Sequence, residues 1–343
     1  MTVHIAPVGL SIIGNLAKIE KLKFVEEPAG PNPIEQDFPW TELIKQVQAS
    51  GYLESIYPGK KPKDVMEAMF ETGSAADSPE RDELQEIADR INVGEWIRYR
   101  GVSAELDTLR QAAIEISSAK KKEEFLPSGK DTVFLLATDT DKGIAAAWWN
   151  AIALANGDIR RIRYLSDLDE NARLDKTAIG CIHILRIPGL DAFNSDQAFR
   201  EPMKIMGRLG RLLVAPPESM LEKVKRIIQP REEIRFYLSG GYKATIPYLV
   251  ALAEWVRSLG EDVSAWIMHE TSRKPFQLPL RRLEVRQVRH ELKPFYKDGK
   301  TKNLETNFFE GYAYEIRGKE YRLTAFGQGM CELFGIPTES VPQ

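Results

Sequence analysis

The chain alternates between short, almost wholly apolar runs and longer segments in which apolar residues recur at helical spacing. The first apolar run, residues 3–13, is broken by Pro7 and Gly9 and reads as a buried strand that passes through a loop into a helix. Thr132–Thr138, Ile179–Ile187, Glu233–Leu238 and Val263–Met268 have the same character, rich in β-branched and aromatic residues. Such runs fit strands buried on both faces. Helical patterns lie between them, over 41–92, 101–119, 144–155, 196–211, 217–228 and 245–259. Pro79 follows Asp77 and Ser78, a helix start with proline in the first turn. Residues 26–39, with four prolines and a glycine, read as a loop.

Strands alternating with helices predict an α/β fold: a Rossmann-like, mostly parallel sheet with helices on both faces. Ligands of such sheets sit beyond the carboxyl ends of the strands. Three polar loops are expected there, at 7–15, 138–143 and 239–243. After residue 280 the pattern changes. Residues 281–302 hold eight Lys and Arg against three acids, and two strand-like runs, 311–316 and 320–324, precede a short helix at 326–334. The domain reading is therefore 1–280, with a helical insertion at about 30–130, and a small α+β domain or extension at 281–343.

Composition narrows the function. With 28% charged residues and 43% in the apolar set, the 343-residue chain is ordinary for a globular protein. Its net charge of −3 argues against nucleic-acid binding by the chain as a whole, but it does not locate the charges. Two distant cysteines, Cys181 and Cys331, exclude a disulfide framework or a Cys-rich zinc site, and the four histidines show no ligand spacing. No metal or cofactor is expected. The start of the chain lacks a signal-peptide pattern. The most apolar stretch, 144–155, is too short to span a bilayer and carries Trp148, Trp149 and Asn150. A cytoplasmic protein with no membrane partner is expected.

Each loop has a functional and a plain reading. Ser239-Gly240-Gly241-Tyr242-Lys243 follows a strand and opens a helix. Two glycines let the backbone approach a ligand, and a helix N-terminus attracts anions. Lys243 is disfavoured there unless an anion compensates it, so the loop is either a phosphate cradle or a turn with a solvated lysine. Thr138-Asp139-Thr140-Asp141-Lys142-Gly143 is either a capped corner or a site for ribose or base edges. Pro7-Val8-Gly9-Leu10-Ser11 sets a hydroxyl at the end of the first strand, with no hydrolase elbow around it. Gly207 and Gly210, three residues apart, make no dinucleotide fingerprint.

Five segments stand out in order: Ala6–Asn15, the Ser-Ala-Glu-Leu run of Val102–Leu109, the Thr-Asp-Thr corner at Thr138–Gly143, the Gly-Gly-x-Lys loop ending at Lys243, and His269–Ser272 with Leu278-Pro279. Together they resemble one family, the CRISPR-associated Rossmann-fold proteins, in the branch that includes ring nucleases and type III CRISPR accessory effectors. The resemblance covers about residues 1–280. It implies a homodimer that binds a cyclic oligoadenylate, the antiviral second messenger of type III CRISPR systems. The tetramer is the commonest ring in the family, and the hexamer is also used. It also implies a ligand site of Val8, Gly9, Leu10, Ser11, Thr138, Asp139, Thr140, Ser239, Gly240, Gly241, Tyr242 and Lys243.

Ring nucleases of this family cut their ligand without metal, the ribose 2′-hydroxyl attacking its neighbouring phosphate. Ser11 and Lys243 match the catalytic positions. Leu10 and Ser239 stand where the family carries threonine, so one hydroxyl is lost and one is kept. Two functions follow: a receptor that also degrades its ligand, or a non-enzymatic switch whose C-terminal region acts on nucleic acid or a protein partner. In that region Tyr321–Gly327 resembles the wing and following helix of winged-helix proteins.

Overall fold

The computed structural model describes residues 2–16, 49, 79–98, 101–119, 122–165, 168, 179–190, 199–214, 233–241, 243–269, 272 and 274–336. Most of the expected insertion, the proline-rich loop at 26–39, the helix at 217–228 and Tyr242 lie outside them.

The strands are β1 (Thr2–Pro7), β2 (Thr132–Thr138), β3 (Ile162–Leu165), β4 (Ile182–Ile187), β5 (Glu233–Tyr237), β6 (Asp262–Ile267) and β7 (Phe276–Gln277). They form one sheet in the order β3-β4-β2-β1-β5-β6-β7. The first six are parallel, and β7 pairs antiparallel at the edge. The helices are α1 (Ser11–Leu16), α2 (Pro79–Arg90), α3 (Ala104–Ser117), α4 (Lys122–Phe125), α5 (Asp141–Leu154), α6 (Arg200–Leu213), α7 (Ile246–Ser258), α8 (Val285–Leu292) and α9 (Ala325–Phe334). The Rossmann-like α/β expectation holds. No helix among the described residues is long and apolar enough to cross a membrane.

Alternation along the strands divides two cores. Val133, Leu135, Ala137, Ile182 and Ile184 face α1, α2, α3 and α5. Ile5, Phe134, Leu136, Leu185 and Phe236 face α6 and α7. Trp148 and Trp149 are both fully buried, and Trp149 lies 5.8 Å from Trp96 between ring centroids. The pair is packing.

Among the described residues the C-terminal region has no core of its own. Val288, Leu292, Phe295, Tyr314, Met330 and Phe334 join the same continuous cluster as Ile5 and Phe236. A second sheet, β8 (Lys300–Thr301), β10 (Glu320–Leu323) and β9 (Tyr314–Arg317) in that order, carries the β9–β10 hairpin. Gly207 explains the glycine spacing of α6: a Cβ there would lie 2.6 Å from the carbonyl oxygen of Gly329 in α9. The two glycines let the helices cross at backbone contact. Glu254 of α7 grips Arg281 through Nε and Nη2, both at 2.9 Å, and Trp255 Nε1 donates to the Tyr312 hydroxyl at 3.1 Å.

Candidate functional site

β1 and β5 are neighbours, but the helices that follow them, α1 and α7, pack on opposite faces of the sheet. The loops leaving the two strands therefore diverge and leave a crevice at the carboxyl edge. Glycine is obligatory where they touch. A Cβ on Gly9 would lie 2.9 Å from the Gly241 nitrogen. Gly241 has φ +81°, and a Cβ there would lie 2.6 Å from the Pro7 Cβ. Only glycine combines that φ with that approach.

Glu105 fills the space beneath both loops and is 3% exposed. It stands in the first turn of α3, where the helix dipole favours an acid. Its Oε1 accepts from the Gly9 N–H at 2.7 Å, and its Oε2 accepts from the Ser11 hydroxyl at 3.2 Å. A Cβ on Gly240 would lie 2.2 Å from Oε1. The carboxylate thus touches the β1 loop through hydrogen bonds and the β5 loop through packing. Ser11 Oγ in turn accepts from the Ala104 N–H at 3.2 Å. Ser103, the N-cap of α3, has its Oγ 2.6 Å from both Glu105 Oε2 and Asn150 Oδ1. One hydroxyl proton serves one of those acceptors at a time. Asn150 is oriented by its own Nδ2 donating to the Ala146 carbonyl at 2.9 Å, and Asn15 Nδ2 holds the loop before α3 at the Gly101 carbonyl, 2.7 Å away.

The expected site residues divide. Gly9, Ser11, Gly240 and Gly241 come together at the crevice. Leu10 stands beside them with half its surface in water. The Val8 side chain is buried in the core, and its N–H donates to the Leu136 carbonyl at 2.9 Å. The Ser239 hydroxyl accepts from the Met268 N–H at 2.7 Å, which ties the β5 loop to the end of β6. Lys243 is exposed in the single 3-10 turn Lys243–Thr245 that leads into α7.

At the β2 corner, Thr140 caps α5 by accepting from the Gly143 N–H at 3.1 Å, and its hydroxyl lies 3.0 Å from that of Thr138. Asp139 pairs with Arg186 of β4 at 2.9 Å. Helix capping and an ion pair account for this corner. The corner before α7 differs: Thr245 supplies no side-chain cap, and Pro247 occupies the first turn. The exposed Lys243 just before the helix is the group there that favours an anion.

Glu105, Ser103 and Asn150 are the residues that reading site by site passed over. Their signals were the Ser-Ala-Glu run and an asparagine inside the most apolar helix. Fold and site together define a Rossmann-like α/β protein with a glycine-lined crevice at the switch between β1 and β5. Compared with known proteins, the chain matches no protein-family profile and no curated sequence.

Proposed function

We propose that this chain is a receptor for cyclic oligoadenylate, with cyclic tetra-adenylate as its ring, acting as a homodimer in type III CRISPR antiviral signalling. The observation that carries the reading is the meeting of the Gly9–Ser11 loop with the Gly240-Gly241 loop. Ser11 stands on one side, and the exposed Lys243, just before α7, stands on the other. A phosphodiester needs that pairing of close-approach backbone, hydroxyl and cation.

The same residues support cleavage of the ring. The ribose 2′-oxygen attacks the adjacent phosphorus, the bond to the 5′-oxygen breaks, and the proton of the 2′-hydroxyl ends on that 5′-oxygen. The product carries a cyclic 2′,3′-phosphate. The chain's contribution is in-line positioning by Ser11 and charge stabilisation by Lys243.

A second reading, binding without cleavage, is favoured by the state of Ser11. Its hydroxyl already donates to Glu105 and accepts from Ala104. In that case the protein is a switch, and α7, which begins beside Lys243 and grips the C-terminal region through Glu254 and Trp255, links the crevice to that region.

Incubation of the protein with labelled cyclic tetra-adenylate in EDTA separates the readings. Linear products support the ring nuclease, and tightly bound, intact ring supports the switch. Calorimetry should give about 0.5 ligand per chain, since a site on a two-fold axis is shared by two copies. One ligand per chain, or binding of neither tetramer nor hexamer, counts against both readings.

A further inference from the structure

Two sets stand out among the cations of the C-terminal region. Arg281, Arg317 and Arg322 lie near Glu254, Glu315 and Glu320 respectively. Arg282, Arg286, Arg289 and Lys293 are all exposed, and none has a carboxylate partner among the described residues. They recur at intervals of four, three and four, so they line one side of α8 and its flanks. The opposite side of α8, Val288 and Leu292, is buried. The acids on α8 do not neutralise the stripe. Glu291 is buried beneath it and accepts from Thr306 Oγ1 at 2.8 Å, the Phe309 N–H at 2.7 Å and the Tyr314 hydroxyl. Glu284 caps the helix.

Two further observations lie beside the stripe. Lys300 of β8 stands directly opposite Arg322 of β10 in the antiparallel register. Glu320 offsets Arg322 at 3.5 Å, and Lys300, exposed, adds a cation beside the stripe. Two aromatic rings stand in water: Phe308, 68% exposed, on the segment that Glu291 holds against α8, and Tyr296, 50% exposed, with Lys297 Nζ 5.7 Å from its ring centre. A chain of net charge −3 has no general reason to expose such a face.

We infer that the α8–β8 face binds single-stranded nucleic acid, with the arginine stripe on the phosphates and Phe308 and Tyr296 stacking on bases. Unpaired cations with exposed rings are the combination that holds single strands without reading sequence. The inference is independent of the ligand assigned to the crevice.

The test is fluorescence anisotropy of the full chain with labelled 20-nucleotide RNA and DNA of mixed sequence, between 50 and 200 mM salt. Four phosphate contacts give a log–log salt slope of about −3, a loss of roughly fiftyfold over that range. Replacing both Arg286→Ala and Arg289→Ala should halve the slope and weaken binding roughly 25-fold at 0.1 M salt. Phe308→Ala should cost roughly tenfold with the slope unchanged, since stacking releases no counterions. All these side chains are exposed, so thermal melts should not move. Exposed Arg90 and Lys130, changed together to alanine, should leave binding as it was. No binding at 50 mM salt, an equal loss in the Arg90/Lys130 control, or equal affinity for phosphatidylserine vesicles would each overturn the inference.

Discussion

Glu105 and Glu291 are the same group in similar surroundings. Each is a carboxylate almost sealed from water, with three donors around it. They differ in where the donors come from. Those of Glu291 lie 15, 18 and 23 residues away, all within the C-terminal region. Two of those of Glu105, Gly9 and Ser11, lie 96 and 94 residues away, on the loop that leaves the central strand. The first glutamate knots a local segment. The second fixes a candidate ligand loop onto a helix from another part of the chain. The same buried charge thus supports stability in one region and preorganisation in the other.

The largest effect should come from Glu291→Ala. It leaves a buried tyrosine hydroxyl, a threonine hydroxyl and a backbone N–H without their acceptor. Each buried donor left unsatisfied costs about 1–3 kcal/mol, so the three together should cost at least about 3 kcal/mol. Urea denaturation should show that loss, while the folded fraction keeps its crevice ligand. A change below about 1 kcal/mol would break the comparison, because Glu291 would not then be the knot.

Acid should reveal a third buried group, held between β1 and β5. His4 of β1 stacks on Tyr237 of β5, with Nδ1 2.9 Å from the hydroxyl. Burial, helped by Arg235 and opposed by Asp131 and Glu233, lowers its pKa from 6.5 to about 4. Between those values the unfolded chain holds a proton that the folded chain does not. The contribution to stability is therefore complete above pH 6.5 and is lost as pH falls toward 4. It amounts to about 3 kcal/mol at 1.36 kcal/mol per unit. Stability measured against pH should show this fall in the wild type and in Ser11→Ala, and His4→Gln should remove it. An unchanged slope in His4→Gln would place the proton elsewhere.

Lys243→Ala examines the crevice without disturbing either glutamate. Loss of one charge-assisted contact should cost about 1.5–3 kcal/mol of ligand binding, with the melting temperature unchanged. If the ring is cleaved, the single-turnover rate at saturation should fall further. Wild-type affinity in the folded variant would remove the phosphate assignment.

A smaller effect, on the same side of the comparison, is expected from Gly240→Ala. The new methyl group would drive Glu105 from its place under the loops without altering the carboxylate itself. Overpacking of this kind costs roughly 1–3 kcal/mol of stability, and ligand binding should weaken more than in a Glu291 variant of equal stability. Equal weakening in the two variants would mean that Glu105 is only another structural tie.

The strand-to-helix corners at 7–15, 138–143 and 239–243 were legible because strands buried on both faces are written as unbroken apolar runs. Local chemistry also carried the helix starts: Ser103 and Thr140 cap the helices they precede, and α2 begins at Pro79. The strand β3 was not legible. Its four residues include the exposed Arg163, and Arg160 and Arg161 stand just before it, so the segment reads as surface until β4 pairs with it.

By itself the sequence determined the type of most elements, the three polar corners and the glycines that any close approach there would need, since propensity, capping and burial pattern act over a few neighbouring residues. Only the tertiary structure decided that β1 lies beside β5, which brings Gly9 to Gly241 and His4 to Tyr237 across more than 230 residues of chain. It alone set Glu105 beneath both loops, turned Thr140 to capping, and folded the 281–336 segment into the sheet's second core with one row of cations left outward. Those are contacts between surfaces distant in sequence, chosen by which apolar faces must be buried together and which buried polar groups must find a partner.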